Sequence, residues 1–253
     1  MVNRSKLGQA ITKDRFDAVL FDLDGVLTDT AKIHAACWKR MFDDFLRQRA
    51  VENDEPFRPF DIATDYKLYV DGKPRFDGVR SFLESRGIHL PYGDPDSPPD
   101  NETICGLGNR KDEMVKEALE SEGVEVYDGS VGLIRHVRSQ RIKTAVVSAS
   151  SNCEAVLRSA GIADLLDVRV DGEMAARLGL AGKPAPDTFL KAGKELGVAP
   201  ERAVVVEDAI SGVQAGRNGG FGLVIGVDRK GDPEALWENG ADIVVADLGE
   251  LLP

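Results

Sequence analysis

Four segments of this chain hold polar residues whose types could work together. FDLDGVLTDT carries Asp22 and Asp24 two residues apart where an apolar run stops, so alternation along an extended chain points both carboxylates to one side. VVSASSN places Ser148 after a second apolar run and Asn152 near a helix start, where hydroxyls and amides either cap the helix or bind phosphate. GKPAPD holds Lys183 before a proline, and AVVVEDAISG ends an apolar run in Glu207 and Asp208. Taken singly, each has a plainer reading: Asp-Gly is a common turn, Ser and Asn are ordinary caps, and a lone lysine is usually solvated. Two acidic pairs converging on one place would repel unless a cation lay between them, and oxygen-only ligands suit Mg²⁺.

Strands must deliver these residues. Short runs apolar on both faces, at Ala18 to Leu23, Thr144 to Val147, Ala203 to Val206, Gly222 to Val227 and Ile243 to Ala246, read as strands of a buried parallel sheet. Helical patterns at Val131 to Arg138, Glu154 to Ala160, Pro186 to Leu196 and Gly212 to Asn218 alternate with them, which predicts an α/β, doubly wound, Rossmann-like core. Catalytic groups in such a core belong at the carboxyl ends of the strands. The long gap after the first strand has helical stretches at Ala31 to Arg49, Gly78 to Arg86 and Arg110 to Glu122, with VENDEPFRPF and YGDPDSPPDNE as loops. The expected organisation is a core of residues 1–30 and 126–253, interrupted by an inserted α-helical cap at 31–125.

Composition excludes several classes. At 253 residues the chain is long enough for a sizeable core, and 42% hydrophobic with 30% charged residues is ordinary for a folded protein. With 32 Lys+Arg against 43 Asp+Glu the net charge is −11, which repels a nucleic-acid backbone. No apolar run is long enough to span a membrane, and MVNRSKLGQAITKD lacks a signal peptide's apolar centre. Cys37, Cys105 and Cys153 are widely spaced, fitting reduced thiols in a cytoplasm, and with only His34, His89 and His136 beside them there is no zinc-binding pattern.

The four segments, in this order, resemble the motifs of the haloacid dehalogenase superfamily of phosphotransferases, over essentially the whole core. The helical insert after the first motif resembles the branch with a small helical cap, and within it the β-phosphoglucomutase family. The resemblance implies that Asp22 is a nucleophile forming an aspartyl-phosphate and that Asp24 is its general acid and base. It implies Mg²⁺ held by Asp22, the Asp24 backbone carbonyl and Asp208, with Glu207 supporting the shell, and Ser148 and Lys183 on the transferring phosphoryl oxygens. An Asp at position 24 disfavours true dehalogenase chemistry.

Further matches lie in the insert. Thr30 falls at the hinge, and AKIHAACW carries His34 and Trp38 where the mutases have a histidine and a tryptophan; four residues apart, they are equally one face of an amphipathic helix. The glycine turn of DGKPR, with Gly72 and Arg75, resembles the cap arginine that holds the sugar's second phosphate, and Lys111 of GLGNRKDE resembles a lysine that reaches the sugar hydroxyls. These groups would reach the substrate on cap closure. Ala149, Ser150 and Asn152 complete the expected substrate set. Two positions depart from the mutase pattern: Ser151 stands where a lysine is common, and Ala209 where serine is frequent. The cap also carries extra loops around 50–60 and 91–103.

The expected activity is Mg²⁺-dependent phosphoryl transfer on a small phosphorylated sugar. Hydrolysis by a sugar-phosphate phosphatase, for example on trehalose 6-phosphate, is the alternative. A catalytically silent sugar-phosphate-binding domain of a longer protein is the third reading, and the presence of Asp22, Asp24, Lys183 and Asp208 weighs against it. The expected setting is a cytoplasmic monomer with no nucleic-acid or membrane partner. The chain stops at ADLGELLP soon after its last strand, which leaves open fusion to, or association with, a carbohydrate-active enzyme.

Overall fold

The computed structural model describes residues 10–253; residues 1–9 of the expected core, with most of the segment weighed as a leader, lie outside the described residues. Two compact units result. One joins the residues up to Asp29 with Val124–Pro253, and the other is Thr30–Gly123.

The first unit is built on six parallel strands: β1 (Ala18–Phe21), β2 (Lys143–Val147), β3 (Val168–Val170), β4 (Ala203–Glu207), β5 (Leu223–Val227) and β6 (Ile243–Val245), in the order β3-β2-β1-β4-β5-β6. Helices intervene in the chain: α4 (Asp128–Ser139), α5 (Cys153–Ser159), α6 (Gly172–Leu178), α7 (Asp187–Leu196), α8 (Ile210–Asn218) and α9 (Pro233–Glu238). Central strands are apolar throughout because both faces are buried. Ala18, Leu20, Val205 and Val224 pack with Phe189 of α7, Val213 of α8 and Leu236 of α9. The alternate set Val19, Phe21, Val204 and Val206 points the other way and is equally buried. Register aligns the strand ends: Phe21 pairs with Val146 of β2 and Val206 of β4, so residues following β1, β2 and β4 emerge along one edge.

The chain leaves and re-enters this unit through a paired crossing. Asp29 N donates to Glu125 O at 2.9 Å and Tyr127 N to Leu27 O at 3.1 Å, flanking an antiparallel bridge between Thr28 and Val126.

The second unit contains α1 (Ala31–Asn53), a π-helical segment Ile62–Val70, α2 (Arg75–Ser85) and α3 (Ile104–Glu122). Its core is aromatic. Phe42 stacks on Trp38 at 5.3 Å and Phe60 at 5.2 Å, and lies 4.2 Å from the Phe82 ring, centroid to centroid.

Several elements depart from sequence expectation. VEN, expected as loop, forms the last turn of α1, whose Val51 side chain is 80% exposed and so gives no apolar periodicity to read. Strand β3, VRV, has Arg169 at its centre and so gives no apolar run, and α6 buries none of its residues. The π-helical segment was unmarked, because hydrogen bonds to the fifth preceding residue shift the apolar spacing away from the helical period. Cys37, Cys105 and Cys153 are all free and buried. Among the described residues no helix is long and apolar enough to cross a membrane.

Phe42→Ala should remove the ring on which the aromatic cluster of the second unit is assembled and cost about 3–5 kcal/mol. Urea unfolding followed by the fluorescence of neighbouring Trp38 measures this; a loss below about 1 kcal/mol would mean the cluster collapses around the gap.

Candidate active site

At the carboxyl edge of the sheet, Asp22 follows β1 and is fixed by its own N–H, which donates to Val206 O at 2.9 Å. Ser148 follows β2 and is fixed in the same way to Val170 O at 3.0 Å. Glu207 ends β4, with Asp208 next. Lys183 arrives from the loop before α7 and is 4% exposed. Its ammonium donates to Asp22 Oδ1, lies 2.5 Å from Glu207 Oε1, and donates to Val147 O at 3.1 Å. The lysine is thus a buried counter-ion and not the solvated surface charge that a lone lysine usually is.

The electrostatics follow from burial. Desolvation pushes the Asp22 carboxyl well above the ordinary carboxylate range, and the Glu207 charge pushes the same way, while Lys183 opposes both. For Lys183, desolvation favours the neutral amine, but Asp22 and Glu207 outweigh it and hold the ammonium above its ordinary value. One oxygen from each of Asp22, Glu207 and Asp208 lies within 4.8 Å of the others. Gly25, at φ 86°, completes this place: a Cβ there would stand 2.4 Å from Asp208 Oδ2. An all-oxygen, buried, anionic set of this kind fits a small hard divalent cation. Asp24 is not one of this trio.

Glu207 does a second job. Its Oε2 accepts from Asp208 N at 3.1 Å and Ala209 N at 3.2 Å, bending the side chain back over the start of α8. Gly212 makes room, since a Cβ there would lie 1.9 Å from Glu207 Cδ. Beyond β2, Ser148 Oγ accepts from Ser150 N at 3.0 Å, and Ser150 Oγ accepts from Asn152 N at 3.1 Å. These relayed turns shape the loop; Asn152 sits at the N-cap position of α5 but its side chain makes no capping bond. The Ala149 carbonyl packs against Gly172, where a Cβ would come within 2.6 Å of it.

In the second unit, His34, Trp38 and Lys111 come together across α1 and α3. Lys111 is buried, with Nζ 2.8 Å from His34 Nδ1 and 5.0 Å from the Trp38 ring centroid. An ammonium can only donate, so Nδ1 is the unprotonated ring nitrogen in this contact. Thr30 holds the N-cap position of α1, and its carbonyl accepts from His34 N at 3.0 Å. Gly72, at φ 68°, makes the turn that leads to Arg75 at the start of α2. Arg75 engages Asn109 of α3, through Nε at 3.3 Å and Nη2 at 3.2 Å.

Residues 16–220 match the model of the haloacid dehalogenase-like hydrolases. The chain belongs to that family. It is 50% identical over 242 residues to the β-phosphoglucomutase of Mycobacterium bovis, covering 94% of this chain and 92% of the relative. It is also 28% identical over 232 residues to a phosphorylated carbohydrates phosphatase of Thermotoga maritima, covering 90% of this chain and 94% of that one. The crystal structure of β-phosphoglucomutase from Clostridium difficile superposes with a TM-score of 0.73 at 26% identity, covering 93% of each chain.

Beside the family motifs stand groups the sequence reading missed. After β5, Arg229 Nε donates to Gly25 O at 2.8 Å, and its guanidinium lies 3.6 Å from the Tyr127 ring centroid. Tyr127 in turn donates to Asp29 Oδ1 at 2.7 Å. Lys230 Nζ is 3.5 Å from Asp208 Oδ2. The signal was available, because GVDRKG ends a strand at the same carboxyl edge as the four motifs.

Lys183→Met should destabilise the cation-free protein by about 3–5 kcal/mol at pH 7, since it leaves Asp22 and Glu207 facing each other unpaired. Without the ammonium, the Asp22 pKa rises further above its unfolded value, so the folded state binds the extra proton and the variant loses stability as pH rises. Unfolding in EDTA should therefore show the deficit narrowing from pH 7 toward pH 5; a deficit constant with pH would contradict the pairing.

Proposed function

We propose that this chain is a Mg²⁺-dependent phosphoryl transferase acting on a sugar phosphate through an aspartyl-phosphate, of the β-phosphoglucomutase kind. The observation that carries the reading is the buried cluster in which Lys183 joins Asp22 to Glu207 beside Asp208, in a chain half identical to a mutase over nearly its full length.

Asp22 supplies the nucleophilic oxygen: its carboxylate bonds to phosphorus as the bond from phosphorus to the sugar oxygen breaks. Asp24 gives its proton to the departing sugar oxygen, then takes one from the hydroxyl that receives the phosphoryl group in the reverse transfer. Lys183 and Ser148 hold the equatorial phosphoryl oxygens, where negative charge is concentrated. Asp22, Asp208 and the Asp24 carbonyl would hold Mg²⁺, with Glu207 bracing them. When bound, the ion offsets the repulsion between an anionic nucleophile and an anionic phosphate. The inserted helical unit acts as the cap: Arg75 binds the second phosphate, Lys111, Trp38 and His34 meet the sugar, and Ser150 and Asn152 complete the set. Ser151 removes a positive charge found there in mutases and leaves more of the anion binding to Arg75.

The phosphatase relative supports a second reading, in which water accepts the phosphoryl group from Asp22. The two differ in product. Protein with Mg²⁺, β-glucose 1-phosphate and a trace of glucose 1,6-bisphosphate should yield glucose 6-phosphate; steady release of inorganic phosphate without it would establish the phosphatase. In either case Asp22→Ala should abolish turnover, a loss on the order of 10³-fold or more, and retained transfer would remove Asp22 as nucleophile.

A further inference from the structure

The segment 91–103, rich in proline and acidic residues, is an ordered strap over the start of α3. Ile104 N donates to Pro91 O at 3.0 Å, Cys105 N to Tyr92 O at 2.9 Å, and Arg110 Nε to Pro99 O at 2.9 Å. The strap is folded on itself as well, with Asp94 N donating to Ser97 Oγ at 3.0 Å and Ser97 N to Asp94 O at 2.8 Å.

One side chain joins this strap to Arg75. Asn109 Nδ2 donates to Pro95 O and to Ser97 O, both at 2.9 Å. Two carbonyls can accept only from the amide nitrogen, so they fix which way the amide faces and turn Oδ1 toward Arg75. Arg75 reaches that oxygen through both Nε and Nη2, a two-point contact that sets the plane of the guanidinium. The backbone is shaped for the contact: a Cβ at Gly108 would lie 2.6 Å from Phe76 Cδ1 and 3.5 Å from Arg75 Cγ. Phe76 also meets Tyr92 of the strap edge-on, at 6.2 Å between centroids.

We propose that Asn109 is a positioning residue that couples the 91–103 strap to Arg75, making the strap a determinant of selectivity for substrates with a second phosphate remote from the reacting one. This rests on the reading of Arg75 given under Proposed function. A strap that sets the plane of the guanidinium also sets the direction from which Arg75 can meet a second anion, and so which sugars can present one to it.

The test is a kinetic double-mutant cycle on the full chain with Mg²⁺, comparing wild type, Arg75→Ala, Asn109→Ala and the double variant. Each is assayed with glucose 1,6-bisphosphate, which has a remote phosphate, and with acetyl phosphate, which has none; the readout is the ratio of kcat/KM for the two. Arg75→Ala should lower the ratio about 10- to 100-fold, the range of a lost charge-assisted contact. Asn109→Ala should lower it about 3- to 10-fold, through KM for the bisphosphate, and the double variant should be no worse than Arg75→Ala alone. Asn109→Leu, which fills similar space, loses both donations to the strap and places no charge beside Arg75, should also lower the ratio and replaces Asn109→Ala if that variant fails to fold by circular dichroism. If Arg75→Ala lowers the ratio while the Asn109 variants leave it unchanged, or if loss of Asn109 is as damaging without Arg75 as with it, the coupling is refuted and the reading of Arg75 stands. If Arg75→Ala leaves the ratio unchanged, that reading falls, and the coupling with it.

Discussion

The contact of Lys183 with Asp22 and Glu207 is the constraint around which the first unit is arranged. Taking a carboxylate out of water is expensive unless a counter-charge comes with it, and here two carboxylates are brought together with one ammonium between them. Most of the surrounding architecture serves that convergence. Parallel pairing aligns the ends of β1, β2 and β4, so that the residues which follow share one edge without any long loop to place them. Gly25 and Gly212 leave the volume that the Asp208 and Glu207 carboxylates occupy. The Val147 carbonyl gives the ammonium its third acceptor.

Such a cluster is also a reservoir of unfavourable energy. Desolvation and the Glu207 charge both act against ionisation of Asp22, which is how a carboxylate is kept responsive to a cation or a phosphoryl group arriving beside it. The scaffold contributes rigidity to offset this, with apolar strands buried on both faces and Arg229, after β5 on the same edge, holding the Gly25 carbonyl.

The helical unit is organised on a different principle. Its aromatic core supports two polar groupings, Lys111 with His34 and Trp38, and Arg75 with Asn109. In both, the cation is held at a set position by an imidazole nitrogen or an amide oxygen of a neighbouring side chain. The net charge of −11 therefore coexists with lysine and arginine side chains fixed at defined positions, and it speaks against a nucleic-acid backbone.

Much of this was legible in the residues alone. Apolar runs bounded by polar residues located five of the six strands, and the four motifs named Asp22, Ser148, Lys183, Glu207 and Asp208, because a buried parallel strand and the group at its end leave a local signature. That signature failed where the apolar run or burial failed: Arg169 interrupts β3, the last turn of α1 is exposed, and the π-helical segment breaks the helical period. Partnership was not legible at all. Sequence singled out Lys183 by its motif and marked the 91–103 segment as a loop rich in proline and acidic residues; that the lysine is buried against two carboxylates, and that the loop is tied through Asn109 to Arg75, depends on residues distant in the chain. The sequence determined which chemical groups exist and which ends of which elements carry them, since those follow from local pattern. Only the tertiary structure decided which charges share a solvent-free space, because that depends on register, on glycines that leave room, and on contacts that local pattern does not encode.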